Sequence, residues 1–220
     1  MSRRRFLRQT STVALAGMLH DVLARGTDPQ LQGMRKLSGD VRVNGKPASE
    51  GMLVLPGDTV TTGAGATAIY VIGRDAYLQR ASSSISFAQN ALRVISGKLL
   101  SVFGKGDKQI TVPTATIGIR GTGCYIETGA EGGKERTYFC LCYGTADITP
   151  SAVPSYTASI TTHHHDKPQW IYADPAMPTG MADARVINHT DAELEMLEAL
   201  VGRVPPFMDG NYGDYGHKYP

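Results

Sequence analysis

The chain has 220 residues, of which 22 are lysine or arginine and 20 are aspartate or glutamate, so its formal net charge is +2. This balance provides no basic stripe for a phosphate backbone, and nucleic acid is not an expected partner. The length is sufficient for one domain with a hydrophobic core and a smaller appendage.

The N-terminus has the pattern of an export signal. Its basic and apolar positions are Arg3, Arg4, Phe6 and Leu7. In this order they resemble the twin-arginine signal of bacteria, which is read by a receptor. The mildly apolar run that follows is shorter than the about 20 apolar residues of a membrane span. A small-x-Ala pattern ends at Ala24 and predicts a cleavage site.

The resemblance implies that residues 1–24 are a twin-arginine signal peptide and that the protein reaches the periplasm already folded. Such proteins are often carried folded because a cofactor was inserted in the cytosol. Removing residues 1–24 takes away four basic residues and one acidic residue, which leaves 18 basic and 19 acidic residues. No later segment is long and apolar enough for a stable membrane span.

Residues 38–144 have the pattern of short strands separated by glycine-containing turns. The expected strands are 41–43, 52–55, 67–72, 77–79, 92–95, 98–103 and 109–112. Asn44-Gly45 is a strong hairpin signal because both residues tolerate positive φ. Without helical periodicity, this pattern predicts a mostly β fold, a compact domain of many short antiparallel strands of the sandwich or roll type.

Several short motifs in this region resemble, in order and spacing, the FecR domain family. They lie at residues 39–45, 55–63, 97–99 and 112–115, and at Arg120, Gly121 and Thr122. The resemblance covers residues 38–128 and implies an exported all-β module with a binding or sensing role. The family is best known as the periplasmic part of a signalling regulator that acts on a sigma factor. We expect only the fold and the exported interaction role to carry over, because no membrane-spanning segment is expected before the β domain.

The remainder of the chain divides into three parts. Residues 145–187 are rich in Ser, Thr and Pro and contain a histidine cluster, and residues 208–220 are a Gly- and Tyr-rich tail. Between them, residues 188–207 contain a short helix. Thr190 and Glu193 have the spacing of a capping box. The apolar stripe of this helix is expected to dock on the β domain.

Three cysteines lie in the segments that flank a glycine-rich loop near Gly132, and this arrangement predicts an antiparallel hairpin. Cys140 and Cys142 share a face because side chains alternate along a strand. Cys124 is expected on the facing strand, close to residues 140–142. On this interpretation the three thiols converge on one side of the hairpin.

Three interpretations of the cysteines remain open. Cys124 forms a disulfide with Cys140 or Cys142, as suits an oxidising compartment. Alternatively, the three thiolates hold a metal ion, zinc or iron, or an iron–sulfur cluster, with a fourth ligand from elsewhere. An odd cysteine count and a folded-export signal favour that second interpretation. The third is a reactive or redox thiol.

Histidine is the expected fourth ligand, and the preferred residues are His164 and His189. In extended backbone, His163 and His165 would share a face, and Asp166 would orient an imidazole. The alternative is that the histidine run is solvated and that His189 packs near the helix end.

Arg120, Gly121 and Thr122 have two interpretations. They form an exposed interaction site, or Arg120 pairs with an acidic side chain while Gly121 permits close backbone approach.

No phosphate loop, nucleophile elbow or zinc-protease motif is present in the sequence. We therefore expect a non-catalytic periplasmic binding or sensing protein with an unidentified protein or ligand as its partner. The alternative is a metal- or iron–sulfur-binding protein with a redox role that uses the three-cysteine hairpin as its site.

Overall fold

The structure is a computed structural model that describes residues 32–208. Its strands form one curled, mixed sheet, and a single α-helix lies near the C-terminal end of the described chain. The mostly β fold predicted from the sequence is confirmed. No helix in the described part of the chain is both long and apolar enough to cross a membrane.

The elements follow one another in chain order. The strands are β1 (Gly33–Ser38), β2 (Val41–Val43), β3 (Lys46–Pro47), β4 (Thr59–Thr62), β5 (Thr67–Ile72), β6 (Asp75–Gln79), β7 (Ser83–Ala88), β8 (Ala91–Ser96), β9 (Lys98–Val102), β10 (Asp107–Val112), β11 (Ala115–Glu131), β12 (Lys134–Pro150), β13 (Ala158–Thr162), β14 (Gln169–Tyr172) and β15 (Met181–Asp183). Helix α1 (Asp191–Leu200) and a 3-10 helix (Pro206–Met208) complete the fold.

The long antiparallel hairpin of β11 and β12 is the centre of the sheet. β11 pairs with β9 and β10 as well as with β12, and β12 also pairs with β13 and β14. Gly132 and Gly133 lie between the two long strands, both with positive φ, as a tight turn requires. The hairpin predicted around Gly132 is therefore confirmed.

Three features differ from the expected pattern. Residues 52–55 are a loop rather than a strand, and β8 pairs with β10 in parallel. The third difference concerns the Ser/Thr-rich segment, which is part of the sheet, since β12 continues through residue 144 and β13, β14 and β15 add to it. Serine and threonine suit strand positions that alternate between buried and exposed faces, so the sheet continues past the predicted boundary at residue 144.

The sheet buries apolar side chains on both faces. One face encloses the larger cluster, which includes Phe87, Cys124 and Phe139. The other face carries Cys140 and Cys142 and is covered by α1 through Leu194, Leu197 and Leu200. These three leucines are at most 2 % exposed, so the predicted docking of the helix stripe is confirmed. Burying them keeps water from the second face.

The start of α1 is fixed by its own side chains. The Glu193 carboxylate accepts a hydrogen bond from the Thr190 N–H at 2.9 Å, and the capping box predicted from the sequence is present. The buried Glu193 carboxylate also forms an ion pair at 2.8 Å with Arg80, the residue that follows β6. The helix N-terminus is thus held against the second face, next to the cysteine pair.

Candidate metal centre

Four side chains from three separate segments meet beneath α1. They are Cys140 and Cys142 of β12, His165 of the loop between β13 and β14, and His189 just before the helix cap. Their sulfur and nitrogen atoms all lie within 4.8 Å of one another. All four residues are buried, none more than 6 % exposed. We call this group the Cys2His2 cluster.

The alternation of side chains along β12 puts both cysteines of the cluster on one face of the sheet. Cys140 and Cys142 are two residues apart on β12, so both side chains point to the face that α1 covers, as predicted. Tyr125 is the cross-strand partner of Cys140 and belongs to the same buried group.

Cys124 lies on the opposite face, and its predicted convergence with the other two thiols is wrong. Its cross-strand partner is Leu141, the residue between the two cysteines of the cluster. The register of β11 against β12 shifts on both sides of Gly123, and this irregularity decides which face Cys124 occupies. There its sulfur lies 3.6 Å from the Ser101 hydroxyl.

All three cysteines are free thiols in the described structure. A disulfide needs Cβ atoms about 3.5–4.5 Å apart on vectors that point toward each other. Cys124 and the pair on β12 project from opposite faces of one sheet. The disulfide between Cys124 and Cys140 or Cys142 is therefore incompatible with this register.

His165 enters the cluster because the backbone turns at that residue. Its φ is +52°, in the left-handed region, and its N–H donates to the Cys142 carbonyl at 3.0 Å. The chain is not extended here, so the face-sharing argument for His163 does not apply. Asp166 accepts a hydrogen bond from the His163 N–H at 3.0 Å and orients no imidazole within the cluster.

His189, one of the two preferred histidines, is a member of the cluster. Its Nδ1 lies 2.7 Å from the Ile187 carbonyl oxygen, and its ring stacks on Tyr125 with centroids 4.7 Å apart. Its Nε2 therefore points to His165 Nδ1 at 3.1 Å. The position before the helix cap directs this side chain toward the sheet, as the sequence indicated.

His164, the other preferred histidine, is outside the cluster. Its Nε2 lies 2.9 Å from Asp191 Oδ1, and the same oxygen is 3.0 Å from His165 Nε2. Asp191, the first residue of α1, is thus the orienting carboxylate that sequence analysis had assigned to Asp166. The three groups form a second, partly buried set of candidate ligands.

The local charges favour a thiolate at Cys140. Burial raises the pKa of Cys140, but the contacts with Cys142, His165 and His189 outweigh it and leave the pKa well below the usual range. Burial and the neighbouring Cys140 raise the pKa of Cys142 well above its usual value. For Cys124, burial outweighs the hydrogen bond with Ser101 and raises the pKa to about 12.

The outer partners of the two histidines determine where their protons lie. The Ile187 carbonyl and the Asp191 carboxylate only accept hydrogen bonds, so they fix protons on His189 Nδ1 and His165 Nε2. Lone pairs then remain on His189 Nε2 and His165 Nδ1, which face each other at 3.1 Å. The Cys140 sulfur lies 3.4 Å from the same His165 nitrogen. Three electron-rich atoms at these distances repel one another unless a cation lies between them.

In the absence of a metal ion, a proton can take that place. Burial lowers the pKa of His165, but the hydrogen bonds with Asp191 and Cys140 outweigh it and raise the pKa to about 9. The Asp191 carboxyl shows the matching effect. Burial opposes its ionisation, yet the hydrogen bonds from His165 and His164 lower its pKa to about 2.

The remaining residues singled out in the sequence lie elsewhere. Arg120 is exposed and pairs with Asp107 at 3.0 Å, and Gly121 has φ of +54° at the register shift of β11. Thr122 is fully buried. The Arg120 ion pair agrees with the structural interpretation, whereas a Cβ at Gly121 would lie 3.9 Å from Lys105, so this glycine meets the positive φ and not a close backbone approach. The signal residues Arg3, Arg4, Phe6, Leu7 and Ala24 lie outside the described residues, so the predicted signal and its cleavage remain predictions.

Comparison with known proteins gives a likeness of fold only. No protein-family model matches the chain, and neither does any curated protein. Two crystal structures of a "putative anti-sigma factor" from Parabacteroides distasonis ATCC 8503 are similar, one with TM-score 0.45 and 7 % identity, the other with 0.44 and 8 %. Each match covers 57 % of this chain and 58 % of that chain, less than two thirds of the length of either. No function follows from likeness at this level.

Proposed function

We propose that this protein is an exported, non-catalytic binding or sensing protein that holds one metal ion, zinc in the first place, in the Cys2His2 cluster. A single observation carries the metal assignment. Two sulfurs and two imidazole nitrogens, all buried, lie within 4.8 Å of one another with lone pairs directed inward.

The spacing of the four atoms suits a tetrahedral ion. Zinc binds nitrogen at about 2.0–2.1 Å and sulfur at about 2.3 Å. At tetrahedral angles these lengths separate two nitrogens by about 3.3–3.4 Å and a nitrogen from a sulfur by about 3.6 Å. The corresponding distances here are 3.1 Å and 3.4 Å. These two pairs would move by a few tenths of an ångström, and the four atoms, which lie within 4.8 Å of one another, would draw together around the ion.

The same distances favour a single ion over an iron–sulfur cluster. With two cysteines and two histidines, a two-iron cluster takes both thiolates on one iron and both imidazoles on the other. Each sulfur would then be separated from each nitrogen by the length of the cluster. Cys140 Sγ and His165 Nδ1 are in direct contact instead. A ligand set of two sulfurs and two nitrogens accommodates zinc or a single iron ion, and iron would give the site a redox role.

A closed set of four protein ligands supports a structural role for the ion. Catalytic zinc sites keep one position for water or substrate, whereas this cluster supplies four ligands under a covering helix. The ion would link β12, the loop that carries His165, and the segment that leads into α1. Three elements that are distant in sequence would thereby be fixed to one face of the sheet.

The binding or sensing role is supported by the ordered motifs that resemble the FecR domain, at residues 39–45, 55–63, 97–99 and 112–115, and the export route by Arg3 and Arg4. Export in the folded state is consistent with an ion inserted before transport. A direct test of the route is a reporter fused to residues 1–30. Changing both Arg3 and Arg4 to Lys is expected to leave the reporter in the cytoplasm, and reporter that still reaches the periplasm would contradict the twin-arginine assignment.

The metal assignment is tested by elemental analysis of the purified chain beside two cysteine variants. Cys142→Ser removes a ligand, whereas Cys124→Ser changes an equally buried thiol on the opposite face and serves as the matched control. We expect about one metal ion per chain in the wild type and in Cys124→Ser, and loss of that ion in Cys142→Ser.

Cobalt substitution then reports the ligands. Thiolate-to-cobalt charge transfer and tetrahedral d–d bands are expected in the wild type and in a His163→Ala control, and not in His189→Ala. A wild-type chain that takes up neither zinc, iron nor cobalt while Cys140 and Cys142 are reduced would overturn the proposal. Bound iron instead of zinc would select the redox alternative.

A further inference from the structure

A cavity of about 270 Å³ opens beside the turns at one end of the sheet. The turns between β5 and β6 and between β7 and β8, together with the loop between β9 and β10, surround it. Its floor belongs to the face of the sheet that carries Cys124, whereas the Cys2His2 cluster lies on the other face. The two sites share no residue.

The floor of the cavity is aromatic and rigid. Tyr77, Phe87 and Phe103 line it and are between 3 % and 5 % exposed. The Tyr77 ring meets Phe87 and Phe103 edge to face, with centroids 5.2 Å and 5.8 Å apart. Strands hold the first two rings, so the floor exists before any ligand arrives. The Tyr77 ring is also stacked on Tyr70, with centroids 5.2 Å apart, so the cavity reaches only small parts of the three rings. A flat apolar group could pack against these parts without reorganisation of the fold.

The charges of the cavity are predominantly positive. Lys108 is paired with Asp75 at 2.8 Å, and Asp75 also accepts the Gly104 N–H at 2.9 Å. Lys108 therefore balances the charge of Asp75, which also accepts a hydrogen bond from the Tyr77 hydroxyl at 3.3 Å. Arg74 and Lys105 also line the cavity, and among residues 32–208 no carboxylate forms an ion pair with either side chain.

Gly104 holds Arg74 close to the cavity. A Cβ at position 104 would lie 2.8 Å from Arg74 Cβ and 3.5 Å from its Nε, so the absence of a side chain lets the arginine lie across the glycine. The aliphatic part of the Arg74 side chain therefore lies at the edge of the cavity. Two cations without acidic partners above an aromatic floor provide a site for an anion that carries an apolar group.

We propose that this cavity binds a small carboxylate with a single aromatic ring, the ring on Tyr77, Phe87 and Phe103 and the carboxylate between Arg74 and Lys105. The volume agrees with that size, since sites for drug-sized ligands begin at about 300 Å³. This inference rests on the proposed binding or sensing role and names the chemical class of the ligand, a small aromatic carboxylate.

The proposal is tested with phenylacetate as the probe, using amide chemical shifts of the isotope-labelled full chain. Saturable shifts are expected at the glycines of the cavity, Gly73 and Gly104. Phenylacetamide, which lacks the charge, and acetate, which lacks the ring, are each expected to bind more weakly. Equal binding of phenylacetate and phenylacetamide, or of phenylacetate and acetate, would overturn the proposal, as would the absence of saturable shifts at both glycines.

A matched pair of double variants separates the site from general charge. Arg74→Gln with Lys105→Gln is expected to weaken phenylacetate binding by about three- to tenfold, as for the loss of two partly exposed ion pairs. Phenylacetamide binding should be unchanged. Arg93→Gln with Lys46→Gln removes the same charges at exposed positions outside the cavity and should leave phenylacetate binding unaltered. If phenylacetate binding weakens equally in both double variants, the effect comes from net charge, and the proposed site is refuted.

Discussion

The Asp191 carboxylate lies 3.0 Å from His165 Nε2, on the side of the imidazole opposite the cysteines. The first residue of a helix thereby orients a side chain from a loop 26 residues earlier. This contact holds the ring so that His165 Nδ1 faces Cys140 and His189. Carboxylates in this position behind a metal-bound histidine fix both its tautomer and its orientation.

Asp191→Asn should therefore weaken metal binding without abolishing the fold. An amide can retain a hydrogen bond but loses the negative charge behind the ring, and changes of this kind cost about 10- to 100-fold in metal affinity. Competition with a coloured zinc chelator measures the affinity. Asp166→Asn, in the loop that carries His165, is the matched control, and an equal loss of affinity in this variant would mean that Asp191 does not act on the imidazole.

Removal of the ion should destabilise the protein in a way that depends on the cluster. An ion that binds only the folded chain adds about 4 kcal/mol when its free concentration is 1,000 times its Kd. A strong chelator is expected to lower the Tm of the wild type and of Cys124→Ser by the same amount. Cys142→Ser should already melt low and show no further shift, and a chelator shift of wild-type size in this variant would contradict the ligand assignment.

Gly123 is a packing requirement on β11 as well as the site of the register shift. A Cβ there would lie 2.5 Å and 2.6 Å from the ring of Tyr143, a residue that is 3 % exposed and hydrogen-bonded to Glu198. Gly123→Ala should cost about 1–3 kcal/mol of unfolding free energy in urea denaturation, because the ring cannot move freely. Gly129→Ala on the same strand meets nothing within 4 Å and should be close to neutral. Equal costs in the two variants would show that the Tyr143 contact does not matter.

Glu127 should contribute stability that is lost in acid. Burial raises its pKa, but Lys98 and Asn188 outweigh this and lower it from the ordinary 4.5. A lowered folded-state pKa means that the contribution is complete above the unfolded value and is lost as the pH falls below 4.5 through the folded value. Glu127→Gln should flatten the acid limb of the curve of unfolding free energy against pH, whereas the exposed control Glu135→Gln should not. Parallel acid limbs for wild type and Glu127→Gln would exclude this role.

Much of the fold followed from local pattern. The Asn44-Gly45 hairpin, the strands around residues 67–72 and 109–112, the turn at Gly132 and the capping box of α1 are all properties of short segments. Each depends on φ preferences, on side-chain alternation or on a hydrogen bond within four residues. The loop at residues 52–55 is the exception, because β propensity without a paired neighbour does not make a strand.

The candidate site was predicted only in part. The shared face of Cys140 and Cys142 and the inward direction of His189 could be predicted from the sequence. Both depend on short-range features, the alternation of side chains along a strand and the position just before a helix cap. The choice between His164 and His165 was not accessible, since it depends on a positive φ at His165 and on the contact with Asp191. The one signal available in the sequence was an acidic residue in the first turn of a helix, where it serves the helix dipole equally well.

The sequence by itself determined the mostly β fold, the central hairpin, the cysteine pair on one face of β12 and the capped helix with its apolar stripe. The tertiary structure alone decided that Cys124 faces away, that His165 rather than His164 completes the cluster, and that Asp191 stands behind it. The physical reason is the range of the interactions. Strand period and capping act over a few residues, whereas a register shift at Gly123 and the docking of α1 are set by packing between segments far apart in the chain.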